Sequence, residues 1–496
     1  MERARLYGLV VTAAAAFALA AFVAAILSTI YGFGPWFDEF FTTYVARPVI
    51  PWREALVDHW LTDNHPPLYY ALARAFWWIG DTIEHRRLVN LVPFVAALGG
   101  GLVLARPRAG LHRLAALLAI SLAAQGVVVR IAADYRSYFL SVSAIALLVF
   151  ALAAFHADAS RWRRRDSAVL WCVAIVALNT HITTTIVASA IQIPFLLRYL
   201  VRRDLARFWR LALPSLVGGL LFVAVSAVQA QHWLANTTAF WLPAGWNVAR
   251  WTLELLVVEV AQANPVLLVA ALGGFAAAAV GFMRRRAADA QLETAIFLGI
   301  GWMLAIGIIL AIHAWRPFIY ERYLVGLVPV MAMILALGSE QALRRIGQQP
   351  ALAVLVLAAL VSAASAWHAA STKRQNSDWG PSAALVGQLV AACPASLVHT
   401  DPLWNREVRD LAPDDNRAVV PFAYRMMAAR YHFALEDDAS RRLAKGCPTL
   451  FWAEWTRPQE WSAPQILARI RQRGFPVPRI RVTRFQRSFV AVADPQ

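Results

Sequence analysis

The sequence predicts a polytopic α-helical membrane protein with about 11 spans and a small C-terminal α/β domain outside the bilayer. Three observations carry this. The 496 residues are 59% hydrophobic and 16% charged, against about 45–50% and about 25% for a soluble domain. Mean hydropathy is +0.51, and the apolar residues gather in runs near the roughly 20 residues that cross a hydrocarbon core. The formal charge of +17, from 47 basic and 30 acidic residues, sits largely in the short turns between those runs. That is the pattern of cytoplasmic loops rather than of a nucleic-acid surface. A soluble multidomain enzyme and a disordered chain are excluded. Three cysteines exclude a disulfide-rich scaffold and a four-cysteine zinc site.

Residues 6–30 form the first span; their apolar run exceeds the 7–15 residues of a cleaved signal core. Further runs lie near 88–105, 111–129, 135–155, 168–187, 186–200, 209–230, 264–283, 292–314, 323–342 and 350–370. The two that meet near residue 186 read as short spans hinged at Thr183-Thr184-Thr185. Arginine clusters at 106–113, 161–165, 202–210, 284–286 and 344–345 all fall on the cytoplasmic side if the N-terminus is inside and Pro66–Gly80 is not a span. That 15-residue segment, which contains Arg74, reads as a helix at the interface. The expected topology is N-in and C-out, with a transmembrane domain over 1–370 and a first external loop over 31–86.

From 371 to 496 the chain is charged and proline-rich, long enough for its own domain. It reads as helix 381–391, strand 396–400, helix 422–433, helix 436–445, strand 449–453, helix 463–473 and strands near 479–492. Cys393 and Cys447 each precede a proline and a predicted strand; outside the cytoplasm they pair or remain two free thiols. Cys172 falls in a span, where packing is its expected role. Trp379, Trp404, Trp452, Trp455 and Trp461 read as core before they read as sugar-stacking platforms. The Ala- and Arg-rich composition points to a GC-rich bacterium, and hence to the inner membrane.

Polar residues concentrate at the outer ends of spans. Asp38 and Glu39 in Trp36-Phe37-Asp38-Glu39 are either helix-start acids favoured by the macrodipole or functional acids. In Asp63-Asn64-His65-Pro66-Pro67-Leu68-Tyr69-Tyr70 the prolines end one element and begin the next, with His65 at the junction. Arg130 and Arg136 flank Asp134 and Tyr135; arginines outside the membrane suit a phosphate, or Arg130 pairs with Asp134 and closes the loop. Tyr320, Glu321 and Arg322 repeat that chemistry at the start of a later span, and His181 lies near the same face. No G-x-x-x-x-G-K-[ST] or strand-linked G-x-G-x-x-G loop is present, so no soluble nucleotide donor is expected.

The Asp38-Glu39 pair after the first span, the Asp63-x-His65-Pro-Pro-Leu-Tyr-Tyr string and the arginine-bearing loop after the third span resemble the C-type glycosyltransferases. Within them the resemblance is to the protein O-mannosyltransferase, lipid A aminoarabinose-transferase and rhizobial galacturonosyltransferase-like branch, and it covers roughly residues 1–340. It implies transfer of a sugar from a polyprenyl-phosphate donor to an envelope lipid, polysaccharide or protein on the periplasmic face. It implies Asp38 as general base and Glu39 as a substrate-positioning or metal-binding acid. His65, Arg130, Arg136, Tyr320 and Arg322 would hold the donor phosphate, and Asp63, Tyr69, Asp134 and Tyr135 would line the substrate site. A divalent ion is optional in these families, with Glu39 and His181 as its ligands here. His65 stands where aminoarabinose transferases tend to carry lysine, which argues against that specific reaction. The readings set against a transferase are a flippase for a lipid-linked sugar, which calls for acids and broken helices at mid-membrane depth, and an inactive scaffold.

Overall fold

A computed structural model describes residues 2–159, 162–235, 245–285, 289–372, 379–400, 419–437, 439–454 and 462–495. The helices are, in order, α1 (Glu2–Gly32), α2 (Phe37–Val45), α3 (Trp52–Glu54), α4 (Leu68–Ala75) and α5 (Ile83–Arg86). Next come α6 (Leu91–Ala105), α7 (Ala109–Ala123), α8 (Gly126–Ala132), α9 (Tyr138–Ala157), α10 (Arg164–Leu178) and α11 (Ile182–Val201). Then follow α12 (Leu205–Ala235), α13 (Trp246–Gln262), α14 (Pro265–Arg285), α15 (Ala290–Trp315), α16 (Val328–Leu343) and α17 (Gln348–Thr372). The C-terminal segment holds α18 (Trp379–Ala392), α19 (Val419–Arg430) and α20 (Ala463–Gln472). It also holds strands β1 (Leu397–Thr400), β2 (Thr449–Ala453), β3 (Ile480–Arg484) and β4 (Phe489–Ala493). Contacts divide the chain into two units. The first is Met1–Ile30, Trp60–Ile79 and Arg87–Lys373; the second is Tyr31–His59, Gly80–Arg86 and Arg374–Gln496.

The protein is a multi-pass membrane protein. Among the described residues nine helices are long and apolar enough to cross a bilayer, or ten if the α7–α8 pair, bent by 75°, counts as one. About 11 spans were expected, and the difference lies in two places. The 15-residue α10 rises only about 22 Å at 1.5 Å per residue, short of the roughly 30 Å core. The break after α10 also comes earlier than Thr183, because Asn179 leaves the helix to donate to Gly218 O at 3.0 Å. The run 111–129 is interrupted at Ala124–Gln125 and turns α8 away from α7. Helix α13 was not anticipated, since Glu254 and Glu259 interrupt its apolar pattern.

Small residues let the spans of the first unit approach closely, as membrane helices require in the absence of a hydrophobic drive between them. A Cβ on Gly274 of α14 would stand 1.9 Å from Gly338 O of α16, and one on Gly301 of α15 would stand 2.5 Å from Ile191 Cα of α11. Basic residues near the inter-helix turns are committed to acids. Arg108 meets buried Asp166 at 2.9 Å, a pairing that low dielectric makes costly to break, and Arg198, in the last turn of α11, meets half-buried Glu293 at 2.7 Å. Cys172 is exposed on α10 rather than packed.

In the second unit the sheet order is β1-β2-β4-β3, parallel between β1 and β2 and antiparallel elsewhere. The central strands β2 and β4 are buried at every position, as strands covered on both faces must be. Ile466 and Ile470 of α20 pack on Phe451, Phe475 and Phe489. Trp379 of α18 and Tyr424 of α19 meet Trp452 at 6.0 and 4.8 Å between ring centroids, so these two tryptophans are core. Trp404, Trp455 and Trp461 lie outside the described residues. Cys393 and Cys447 are joined, with Cα atoms 5.8 Å apart. Residues 436–445 are not the expected helix. Glu436 N–H donates to Val398 O at 2.8 Å, which ties this stretch to the sheet edge in an irregular conformation. The Pro66–Gly80 stretch is confirmed as no span: α4 has eight residues.

Candidate functional site

The Asp63–Tyr70 string of the first unit folds on itself. Its two prolines end the preceding turn and start α4, which brings three donors onto one oxygen. Asp63 Oδ2 accepts from the His65 backbone N–H at 3.2 Å, from His65 Nδ1 at 3.1 Å and from Tyr70 Oη at 2.5 Å. Burial alone would raise the Asp63 pKa. The His65 and Arg136 charges and the hydrogen bonds from His65 and Tyr70 more than offset this, and hold it down to about 2. The Tyr70 hydroxyl is pushed well up, by its own burial and then by Asp63.

Arg136 extends the chain, its Nη2 donating to His65 Nε2 at 3.4 Å. His65 thus links Asp63, on its Nδ1 side, to Arg136, on its Nε2 side. The His65 ring lies 5.2 Å from that of His181, which in turn contacts Tyr138 at 5.7 Å and Tyr323 at 5.2 Å. Arg322 stands over Tyr320, Tyr138 and Tyr323 at 5.0, 5.7 and 5.7 Å. Burial, followed by the charges of His65, Arg136 and Arg322, pushes His181 well below its ordinary range. The result is one cluster with two guanidinium groups, two imidazoles and a tyrosine wall, anchored by a single buried carboxylate. Such a set recognises a phosphate-like oxyanion.

Two residues outside the sequence reading position this cluster. Gln229 of α12 is fully buried, and its Nε2 donates to the carbonyls of Trp60, Asp63 and His65 at 3.2, 2.9 and 2.8 Å. An amide inside a long apolar helix was the available signal. Thr183 donates to Tyr323 O at 2.6 Å and touches His181 Nδ1 at 2.7 Å, which joins the start of α11 to the Tyr320–Tyr323 turn.

The other expected residues fall elsewhere. Arg130 does not join His65. Its Nη2 donates to Glu259 at 2.8 and 3.0 Å and to Glu321 at 3.1 Å, so two glutamates share it. Tyr69 and Tyr135 are buried. Tyr69 donates to Asn90 at 2.9 Å, and Asn90 donates to the carbonyl oxygens of Ala132 and Asp134 at 3.0 and 2.6 Å. These side chains build the loop that carries Arg136 rather than line a cleft.

Asp38 and Glu39 belong to the second unit, on the first turn of α2. Glu39 is buried and accepts from Trp36 N–H at 3.2 Å, the reciprocal bond of a helix start. Asp38 is half-buried beside it. Helix α2 is fixed within this unit by Phe40 against Trp379, 5.0 Å away, and Tyr44 against Phe422, 5.4 Å away. Among the described residues no group of three or more His, Cys, Asp or Glu side chains could hold a metal ion. Glu39 Oε2 accepts from Trp36 N–H and His181 Nδ1 lies against Thr183, and the two expected metal ligands belong to separate units.

No protein-family description and no curated protein matches the chain. Solved structures do, among them two crystal structures of one protein. The crystal structure of ArnT from Cupriavidus metallidurans in the apo state aligns over 96% of this chain and 99% of its own, with TM-score 0.52 and 15% identity. The crystal structure of the same ArnT bound to undecaprenyl phosphate aligns over the same shares, with TM-score 0.53 and 15% identity. The expected GT-C fold is therefore present over nearly the whole chain.

Proposed function

We propose that this protein is a membrane glycosyltransferase that moves a sugar from a polyprenyl-phosphate donor to an envelope acceptor. The observation that carries the reading is the His65–Arg136–His181–Arg322 cluster, held by Asp63, in a fold shared with an ArnT that was crystallised with undecaprenyl phosphate. The polyprenyl phosphate leaving group gains charge as the bond from the sugar C1 to the phosphate oxygen of the diester donor breaks, and Arg136 and Arg322 are the groups to neutralise it. His65, aligned by Asp63, positions Arg136 for the same oxygens. The acceptor oxygen attacks C1, its proton passes to a base, and the bonding pair leaves with the phosphate, so the anomeric centre inverts. The motif resemblance gives the base to Asp38.

The reading places the protein in a bacterial inner membrane, with its N-terminus inside and the reaction on the periplasmic face. It is tested by mass spectrometry of envelope glycolipids and polysaccharides from cells with the wild-type protein, Asp38→Asn or none. A sugar mass present only with the wild type supports the transferase and identifies sugar and acceptor class. An Asp38→Asn strain that matches the wild type, while the deletion loses the modification, removes Asp38 from catalysis and favours a flippase.

A further inference from the structure

Within the first unit, α1, α6, α7 and α9 surround a cavity of about 330 Å³. That is more than twice the roughly 150 Å³ of a void that stays dry and takes up an apolar guest. Small residues such as Gly101, Ala119 and Ala146 form its walls. One end is closed by Phe22, Phe94 and Phe139, whose rings lie 5.8 to 6.4 Å apart. Along α6 the lining runs from Phe94 to Ala105, about 17 Å at 1.5 Å per residue. One leaflet of a hydrocarbon core measures about 15 Å, half of roughly 30 Å. The cavity is thus one leaflet deep, and closely packed interiors do not leave such spaces without an occupant to fill them.

Its open end meets a second cavity of about 770 Å³, the two sharing Val11, Thr12 and His112. This mouth carries Arg113, Glu340 and Arg344. Arg113 meets buried Glu340 at 2.5 Å and donates to Tyr7 Oη at 2.9 Å. Arg344 meets Glu340 at 2.9 Å and Asp289 at 3.7 Å, and Arg345 is held on Gln341 O at 2.6 Å. Among the residues that line this mouth, two guanidinium groups stand against one carboxylate, which leaves one positive charge in excess at the level where the apolar shaft ends.

We propose that this groove is a binding site for a single anionic phospholipid of the leaflet on the arginine-bearing side. One acyl chain fills the shaft down to the phenylalanine floor, and the phosphodiester neutralises the excess charge at Arg113 and Arg344. The depth sets the occupant: a leaflet lipid fits a groove one leaflet long, and its single negative charge matches the mouth. The site shares no residue with the His65 cluster and is independent of the transferase reading.

The test is native mass spectrometry of the full chain released from nanodiscs of equal phosphatidylglycerol and phosphatidylcholine. The expected result is one retained phosphatidylglycerol per chain, preferred at least tenfold. A Cβ on Gly101 meets nothing within 4 Å, so Gly101→Phe grows into the shaft and is expected to reduce retention at least tenfold. Ala146→Leu, on the facing wall, serves if Gly101→Phe does not fold. Arg344→Gln is expected to keep one lipid per chain while the headgroup preference falls below threefold. Equal retention of the two lipids by the wild type, or undiminished retention by a folded shaft-filling variant, overturns the proposal.

Discussion

Asp63→Asn replaces the carboxylate on which His65 and Tyr70 converge with an amide of the same shape, and its cost follows from the geometry. A pKa of about 2, against about 3.9 for an unperturbed aspartate, corresponds to about 2.5 kcal/mol at 1.36 kcal/mol per unit. The side chain is only 14% exposed, so solvent screens little of this. Because the folded carboxyl titrates below the unfolded one, its contribution is complete above about pH 4 and is lost as the pH falls through about 2. Thermal unfolding in detergent, followed by tryptophan fluorescence, is therefore expected to show a wild-type advantage of about 2 kcal/mol that is constant from pH 8 to 5. The advantage closes below pH 4. The variant amide can also donate to His65 Nδ1, which moves the ring proton to Nε2 and sets it against Arg136. Undecaprenyl phosphate binding at pH 7 should then weaken about tenfold, or about 1.4 kcal/mol. An advantage below about 0.5 kcal/mol at pH 7, or one that persists unchanged at pH 3, would refute the proposed role of the Asp63–His65 pair.

Three further outcomes are expected. Gln229→Leu leaves the carbonyls of Trp60, Asp63 and His65 without their shared donor, so thermal stability should drop by about 1–3 kcal/mol, with weaker undecaprenyl phosphate binding; a loss of stability alone limits Gln229 to packing. Arg136→Lys keeps the charge but loses the planar fork, and undecaprenyl phosphate affinity measured by fluorescence titration should fall at least tenfold, whereas an unchanged value makes Arg136 structural. Cys393→Ser opens a link that spans 54 residues, worth about 4 kcal/mol on the chain-entropy account; faster limited proteolysis between residues 379 and 495 is the readout, and wild-type protein in reductant should match it.

The apolar runs, the strands and the cysteine pair were legible because each is a local or compositional signal. Span length and alternation around β2 and β4 need no knowledge of distant residues. The His65 string was legible as well, since two prolines restrict the backbone wherever they occur. What sequence could not supply were partners far along the chain. Arg130 reads as a free external cation until Glu259 and Glu321, 129 and 191 residues later, close on it. Tyr69 and Tyr135 look like exposed recognition tyrosines until Asn90 and the Ala73 carbonyl, 3.5 Å from Tyr135 Oη, account for their hydroxyls. Gln229 looks like an isolated polar residue in a span, and only the fold brings the Asp63 loop beneath it. The missed α13 has a different cause: its glutamates serve Arg130 and Arg250, and acids committed to such pairs disguise a helix as a loop.

The composition of the second unit sets an order of events in biogenesis. Helix α2 ends at Val45, while its packing partners begin at Trp379 and Val419. At roughly 5–20 residues per second of synthesis, the 374 residues from Val45 to Val419 separate the emergence of Asp38-Glu39 from the arrival of α19 by roughly 20–75 s. During that interval the membrane bundle can insert while the acidic helix still lacks Trp379 and Phe422, its aromatic partners from the C-terminal segment. The Asp38-Glu39 segment is thus the last part of the early chain to become ordered, and a molecule interrupted in synthesis would carry a formed His65 cluster without an assembled α2.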